Sequence, residues 1–151
     1  MAFADEHLFA PLGITDYAWE YMPARPEYAG GKLHMRPRDV WKFGLLFLNH
    51  GNWKGNQLIS ADWVAESTLP DGAIPTERQG VEYGCYWWYT SWNVGDREIR
   101  AYYANGNGGQ LLYIIEDLNM VVLFTGGAYN MGAEAKLNSL MRNNILPAVL
   151  E

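Results

Sequence analysis

Residues 97–124 read REIRAYYANGNGGQLLYIIEDLNMVVLF, and this stretch decides the fold. Arg97 to Tyr103 alternates polar and apolar side chains for most of its length, the period of a strand with one covered face. Asn105-Gly106-Asn107-Gly108-Gly109 is a glycine-rich break. Gln110 to Ile115 resumes as another strand, and Asp117-Leu118-Asn119 turns the chain. Met120 to Phe124 is apolar at every position, which predicts a strand buried on both faces. Successive strands joined by tight turns pair antiparallel. Upstream, Tyr83 to Trp92 reads as an aromatic strand and Val94-Gly95-Asp96 as a turn. Downstream, Leu137, Leu140, Met141, Ile145 and Val149 fall on one face of a helix predicted over Ala133 to Val149, laid on the sheet. Pro147 should bend or end it.

The first half has a different character. Phe3 to Phe9 predicts one or two helical turns, stopped by Pro11 and turned at Leu12-Gly13. Residues 14–35 hold Pro23, Pro26, Gly30 and Gly31 and read as a long irregular segment. Pro37 opens a helix at the position where its missing N–H costs nothing. Asp39 suits the positive end of that helix, Val40, Phe43, Gly44, Phe47 and Leu48 give it a core face, and Gly51 should stop it. Ser60 caps a short helix from Ala61 to Thr68. Pro70, Asp71, Gly72 and Pro75 make a loop. The expected class is therefore α+β, of the α/β type. An antiparallel sheet of about three strands carries a C-terminal helix and follows a helical and loop region. Two parts are expected in one compact unit, residues 1–79 and residues 80–151.

Composition excludes several functions. The chain has 151 residues, 49% hydrophobic and 19% charged. That length suffices for one domain burying about two-thirds of its unfolded surface. The formal charge is −6 and no basic run exists, so nucleic acid is not an expected partner. Cys85 is the only cysteine and His7, His34 and His50 lack ligand spacing, so neither a disulfide nor a metal site is expected. No cofactor is expected either. No apolar run reaches membrane-spanning length and the first residues lack a signal-peptide pattern, so the chain as it stands is expected in the cytoplasm. Aromatic residues reach 15%, which means a thick core or an aromatic-lined groove.

The order and spacing of several short pieces carry a resemblance. They are Phe9-Ala10-Pro11-Leu12-Gly13, Gly30-Gly31, Met35-Arg36-Pro37-Arg38-Asp39, Phe43-Gly44, Gly55 to Trp63, Tyr83-Gly84, Trp87-Trp88, Gly106 to Gln110 and Val121 to Gly127. Together they resemble the second half of the serine β-lactamase and penicillin-binding-protein superfamily, in the subgroup of class C β-lactamases, D-Ala-D-Ala peptidases and related esterases. The resemblance implies a partial β-lactamase/transpeptidase-like fold. Residues 1–79 would be a remnant of the helical domain and residues 80–151 the C-terminal part of the sheet domain.

The family's acyl transfer uses a Ser-x-x-Lys pair, a Tyr-x-Asn, and a Lys-Thr-Gly strand beside the oxyanion hole. The first pair is missing. Ser60, Ser67, Ser91 and Ser139 are followed three places on by Trp63, Pro70, Val94 and Arg142, none of them lysine. The resemblance implies that nucleophile and base belong upstream of Met1, so the catalytic residues of this chain are none. Tyr103-Ala104-Asn105 fits Tyr-x-Asn by coincidence, because it falls where the third motif belongs. An ungapped match to the family's paired glycines puts Tyr103, Ala104 and Asn105 at Lys-Thr-Gly, with the Gly106 N–H as oxyanion donor. A one-residue shift gives Ala104-Asn105-Gly106 with Asn107 as donor. The implied cleft and oxyanion remnant is thus Tyr103, Asn105, Gly106, Asn107, Gly108 and Gly109. The absent lysine argues against a β-lactam or carboxylate-bearing substrate but, since related esterases also lack it, not by itself against catalysis.

Plainer readings stand beside these. Glycine runs before a strand are commonly tight turns, and Gly108 and Gly109 should take conformations that a side chain resists or lie against a neighbouring backbone. Tyr102 and Tyr103 point to opposite faces, so one is expected in the core and the other toward cleft or solvent. Arg38 and Asp39 suit capping and a structural ion pair. His34 reads as a solvated or hydrogen-bonded loop residue, His50 as a helix-end cation, and Cys85 as a buried small apolar residue. The leading expectation is a C-terminal fragment of a serine β-lactamase-like hydrolase, inactive alone, whose parent acts on an ester or amide. The alternative is a non-catalytic binding or interaction module that keeps the fold and self-associates. A third, a new site built from Tyr103, His50 or His34, lacks an evident nucleophile–base pair. Met120 to Phe124 needs a neighbour on each side. The expected partner is therefore a second copy at residues 119–125, with a separate N-terminal half as the rival.

Overall fold

The computed structural model describes residues 2–20, 31–69 and 82–151. The expected loop residues Pro23, Pro26, Gly30, Pro70, Asp71, Gly72 and Pro75 lie outside them. The helical turn α1 (Ala2–Ala4) runs into a wider π turn at Asp5–Phe9. The β1 (Tyr17–Trp19) and β2 (Leu33–Met35) strands pair antiparallel, and α2 (Pro37–Leu48) follows. A small hairpin, β3 (Asn52–Trp53) and β4 (Asn56–Gln57), leads to α3 (Ala61–Ser67). The main sheet holds β5 (Glu82–Gly84), β6 (Trp87–Val94), β7 (Arg97–Gly106), β8 (Gln110–Ile115) and β9 (Met120–Phe124), adjacent in that order and antiparallel throughout. The chain ends in α4 (Ala133–Leu140), a π turn at Met141–Ile145 and α5 (Leu146–Leu150).

The sheet therefore has five strands, against an expected sheet of about three and four strand-like runs in the sequence. The aromatic run is two of them. Cys85 and Tyr86 sit between β5 and β6 with φ of 45° and 70°, a two-residue turn with both residues left-handed. Such turns match the right-handed strand twist and usually advertise themselves with Asn-Gly or Asp-Gly. Here neither residue type is present, so the break was invisible in the sequence. The turn also corrects the reading of Cys85, which is exposed rather than buried.

Helices cover both faces of the sheet. On one face Ile99, Tyr103, Leu111, Tyr113 and Ile115 meet Met141 and Leu146. On the other, Tyr102, Leu112 and Ile114 meet Val40, Phe43, Phe47 and Leu48 of α2. Tyr102 and Tyr103 thus do lie on opposite faces, but both are buried, because each face has its own cover. The strand covered on both sides is β8, with Leu111 to Ile115 all buried. β9 is the sheet's edge, and all five of its residues are only half-buried. It pairs with β8 from Leu111–Phe124 to Ile115–Met120, as expected, and no described strand lies beyond it.

Gly44 brings α2 close to that sheet. A Cβ there would stand 2.5 Å from Val121 Cγ1 and 2.9 Å from Leu112 Cδ1. The far side of α2 closes a second core, where Leu46 joins Phe9, Leu12 and Ile14. The helix ends differently from expectation. His50, not Gly51, takes the first left-handed position, with φ 50°. Its N–H donates to the Phe47 carbonyl and the Gly51 N–H to the Leu46 carbonyl, at 2.9 and 2.8 Å, a Schellman closure. Ser60 caps α3 as expected, its Oγ accepting from the Trp63 N–H at 3.2 Å. The Asp39 ion pair is with Lys42, at 2.6 Å.

The C-terminal helix also departs from its simple periodicity. Leu140 and Val149 are exposed, whereas Met141 and Leu146 are fully buried and Leu150 packs on the core. The π turn explains the shift. It inserts one residue and so rotates everything after it, moving the buried face from Val149 to Leu150. It ends at Ile145, two residues before Pro147, which neither ends nor breaks the helix because the wider turn makes room for its ring.

Candidate functional site

The glycine-rich segment is the tip of the β7–β8 hairpin. β7 pairs with β8 through Asn105–Leu111 and Gly106–Gln110. On its other side the ladder with β6 ends at Trp88–Tyr103. Ala104, Asn105 and Gly106 therefore present one backbone edge that no described strand occupies. Unpaired N–H and C=O groups on such an edge are ready to meet a ligand's polar groups.

Gly108 and Gly109 have φ of +90° and +91°, conformations that a side chain resists, as expected, and both are buried. A Cβ on Gly108 would lie 2.9 Å from the Tyr129 ring, and one on Gly109 would lie 3.3 Å from Ala133 and Leu137. A strap at residues 126–130, after β9, holds this tip. The Ala128 N–H donates to the Gly108 carbonyl at 3.1 Å. Asn107 Nδ2 donates to Asn130 Oδ1 at 2.8 Å, and the Asn130 N–H returns a bond to Asn107 Oδ1 at 2.9 Å. Gln110 Nε2 donates to the Gly126 carbonyl. Gly126 has room only for hydrogen there, because a Cβ would stand 2.6 Å from the Gly108 oxygen. Of this strap only Gly126-Gly127 belongs to the pieces that carry the sequence resemblance. The Asn107–Asn130 pair spans 23 residues and has no local signature.

Tyr103 sits apart from the open edge. It is 1% exposed and stacks on Tyr113, with ring centroids 4.9 Å apart. Its hydroxyl donates to Glu134 Oε1 at 3.1 Å. Asn105 and Gly106 are half-buried and Asn107 is exposed. The site residues after Tyr103 are thus brought together at one tip, while Tyr103 points into the layer under the C-terminal helix.

The buried phenols of the sheet offer no base. Burial, and then the nearby Glu116, hold the Tyr102 phenol far above the ordinary tyrosine range. Burial does the same for Tyr113, and pushes Tyr89 up to about 12. These phenols stay protonated near neutral pH and are not bases. Among the serines, Ser60 caps a helix, Ser67 donates to the Val64 carbonyl and Ser139 accepts from Asn143 Nδ2. Ser91 is bonded to Glu98, an acid rather than a lysine. His34 faces Glu20 at 2.9 Å in the β1–β2 hairpin, and His50 closes α2. Among the described residues no three His, Cys, Asp or Glu side chains are grouped to hold a metal, and no helix is long and apolar enough to cross a membrane.

No protein-family model and no curated protein matches the sequence. A solved structure does. A chain described as "Putative 6-aminohexanoate-dimer hydrolase from Bacillus anthracis" superimposes with a TM-score of 0.74 at 22% identity. The match covers 97% of this chain and 37% of that one, so this chain spans little more than a third of that protein's length. At this identity the likeness is one of fold. The α+β arrangement, a five-stranded antiparallel sheet with a C-terminal helix, is part of a β-lactamase-like fold.

Proposed function

We propose that this chain is the C-terminal portion of a serine β-lactamase-like hydrolase, carrying one wall of an acyl-transfer cleft but not its nucleophile. The supporting observation is the open edge at Ala104, Asn105 and Gly106, hydrogen-bonded at its tip to the 126–130 strap, on a fold shared with a protein described as a hydrolase. In this reading the Gly106 or Asn107 N–H is the oxyanion donor, Asn105 to Gly109 line the cleft, and Tyr103 supports the wall from its buried side. The substrate class is an ester or amide without a carboxylate that needs a lysine. Residues 1–79 contribute a remnant of the helical domain and residues 80–151 the end of the sheet domain. An oxyanion donor alone stabilises charge that only a nucleophile can create, and none of the described serines has a lysine partner. The isolated chain should therefore show no saturable hydrolysis of nitrocefin or short p-nitrophenyl esters above a denatured control. Turnover that survives repurification and vanishes on one substitution at residues 103–109 would refute this.

A second reading, self-association through β9, is favoured by that strand's position. Met120 to Phe124 carries no charge or proline, lies at the sheet edge and is half-exposed along its length. Edges of this kind recruit another strand, and a two-fold antiparallel pairing would satisfy both copies. Light scattering at micromolar concentration should give a dimer. A wild-type monomer would leave the edge to a separate N-terminal half.

A further inference from the structure

Asn107 stands in the sequence Asn105-Gly106-Asn107-Gly108-Gly109, which contains the chain's two Asn-Gly steps. Glycine at the following position removes the side chain that otherwise shields the next backbone nitrogen. We propose that Asn107 is a self-modifying site, deamidating through a succinimide, and that its hydrogen-bonded pairing with Asn130 sets the rate.

The reaction needs no partner but water. The Gly108 nitrogen, losing its proton to solvent base, attacks Asn107 Cγ. A nitrogen–carbon bond forms in a five-membered ring, and the side-chain carbon–nitrogen bond breaks, releasing ammonia. Water then opens the ring at either carbonyl, giving aspartate or isoaspartate. The attack requires the side-chain carboxamide to swing over the Gly108 nitrogen. In the structure both its ends are engaged, with Nδ2 donating to Asn130 Oδ1 at 2.8 Å and Oδ1 accepting from the Asn130 N–H at 2.9 Å. The Gly108 carbonyl is also tied, to the Ala128 N–H at 3.1 Å.

Asn105 is the internal control. It has the same neighbour, but it lies within β7 opposite Leu111, and Gly106 lies opposite Gln110. An extended, paired backbone cannot bend to bring that nitrogen onto its own side chain. Asn107 is exposed in the turn. Its product adds one negative charge and loses the Nδ2 donor to Asn130 Oδ1, while the Asn130 N–H and the Ala128 N–H can still hold the tip. The inference stands apart from the hydrolase reading and survives its failure.

The test is peptide mapping by mass spectrometry on the full chain held at mildly alkaline pH, folded and in urea. Folded protein should convert at Asn107 while Asn105 stays intact, and in urea both should convert. Asn130→Gly keeps the left-handed backbone (φ 59°) and its N–H but removes the acceptor. It should speed folded-state conversion at Asn107 on the order of tenfold, the rate equivalent of one lost hydrogen bond. Asn130→Asp retains the acceptor and should restore the slow rate. Equal rates across the three proteins, first reaction at Asn105, or a folded Asn107 inert even in Asn130→Gly would each overturn the proposal.

Discussion

Gly51→Ala should destabilise the protein by about 3 kcal/mol or more, the largest effect expected of so small a change. Two terms add. Gly51 has φ +81°, where an alanine Cβ is strained by about 1–2 kcal/mol. Its Cβ would also stand 2.0 Å from the Ile59 carbonyl oxygen and 2.8 Å from its carbon. Those are backbone atoms, so no rotamer change relieves the contact. Retreat of Ile59 would also break the bonds that the Leu58 and Ile59 N–H groups donate to the Gly51 carbonyl, at 2.9 and 3.3 Å. These bonds dock the chain entering α3 against the end of α2. At about 2–4 °C per kcal/mol for a chain of this size, the melting temperature should fall by roughly 6–12 °C. Gly55→Ala is the control. It has φ +90° but nothing within 4 Å of the built Cβ, so it should lose only the strain. Equal losses in the two variants would show that the close approach to Ile59 has no energetic role.

Tyr113→Ala should lower stability by about 3–5 kcal/mol, as large-to-small changes of buried aromatics do. Tyr113 is fully buried at the centre of the sheet face under the C-terminal helix. Its ring stacks on Tyr103 at 4.9 Å and meets Trp92 edge-on at 5.5 Å and Phe124 at 6.3 Å. Its hydroxyl donates to Asn138 Oδ1 at 2.8 Å, tying β8 to α4. Removing the ring opens a cavity between three aromatic neighbours that are themselves fixed by strands. Tyr113→Phe removes only the hydrogen bond and should cost about 0.5–1.5 kcal/mol. Urea titration separates the two, with the midpoint moving and the slope unchanged. A Tyr113→Ala loss no larger than that of Tyr113→Phe would mean that the layer repacks freely and the aromatic stack is not a structural centre.

The sequence by itself determined the local elements and their partners in the hairpins. Alternation from Arg97, the glycine break at 105–109 and the turn near Leu118 placed β7, β8 and β9 and their antiparallel order. Pro37, Ser60 and the spacing from Val40 to Leu48 placed α2 and α3. The positive φ of Gly108 and Gly109 was also legible, because a turn so dense in glycine has little other use for them. These are properties of a few adjacent residues, and short-range sterics fix them.

Tertiary structure decided the rest. Whether an apolar strand is central depends on what stands beside it, so the run at Met120 to Phe124 looks doubly buried in sequence although β8 holds that place. Tyr103 entered the core rather than a cleft because the C-terminal helix covers its face, and a strand cannot announce its own cover. The helix register slipped at Met141–Ile145 because burial of Leu146 and the ring of Pro147 outweighed regular winding. The candidate site took its form from a contact between Asn107 and Asn130, distant in sequence and joined only when β9 returns the chain to the hairpin tip. Hydrogen bonds across such a gap exist only after the sheet and helix have packed, so no local pattern encodes them.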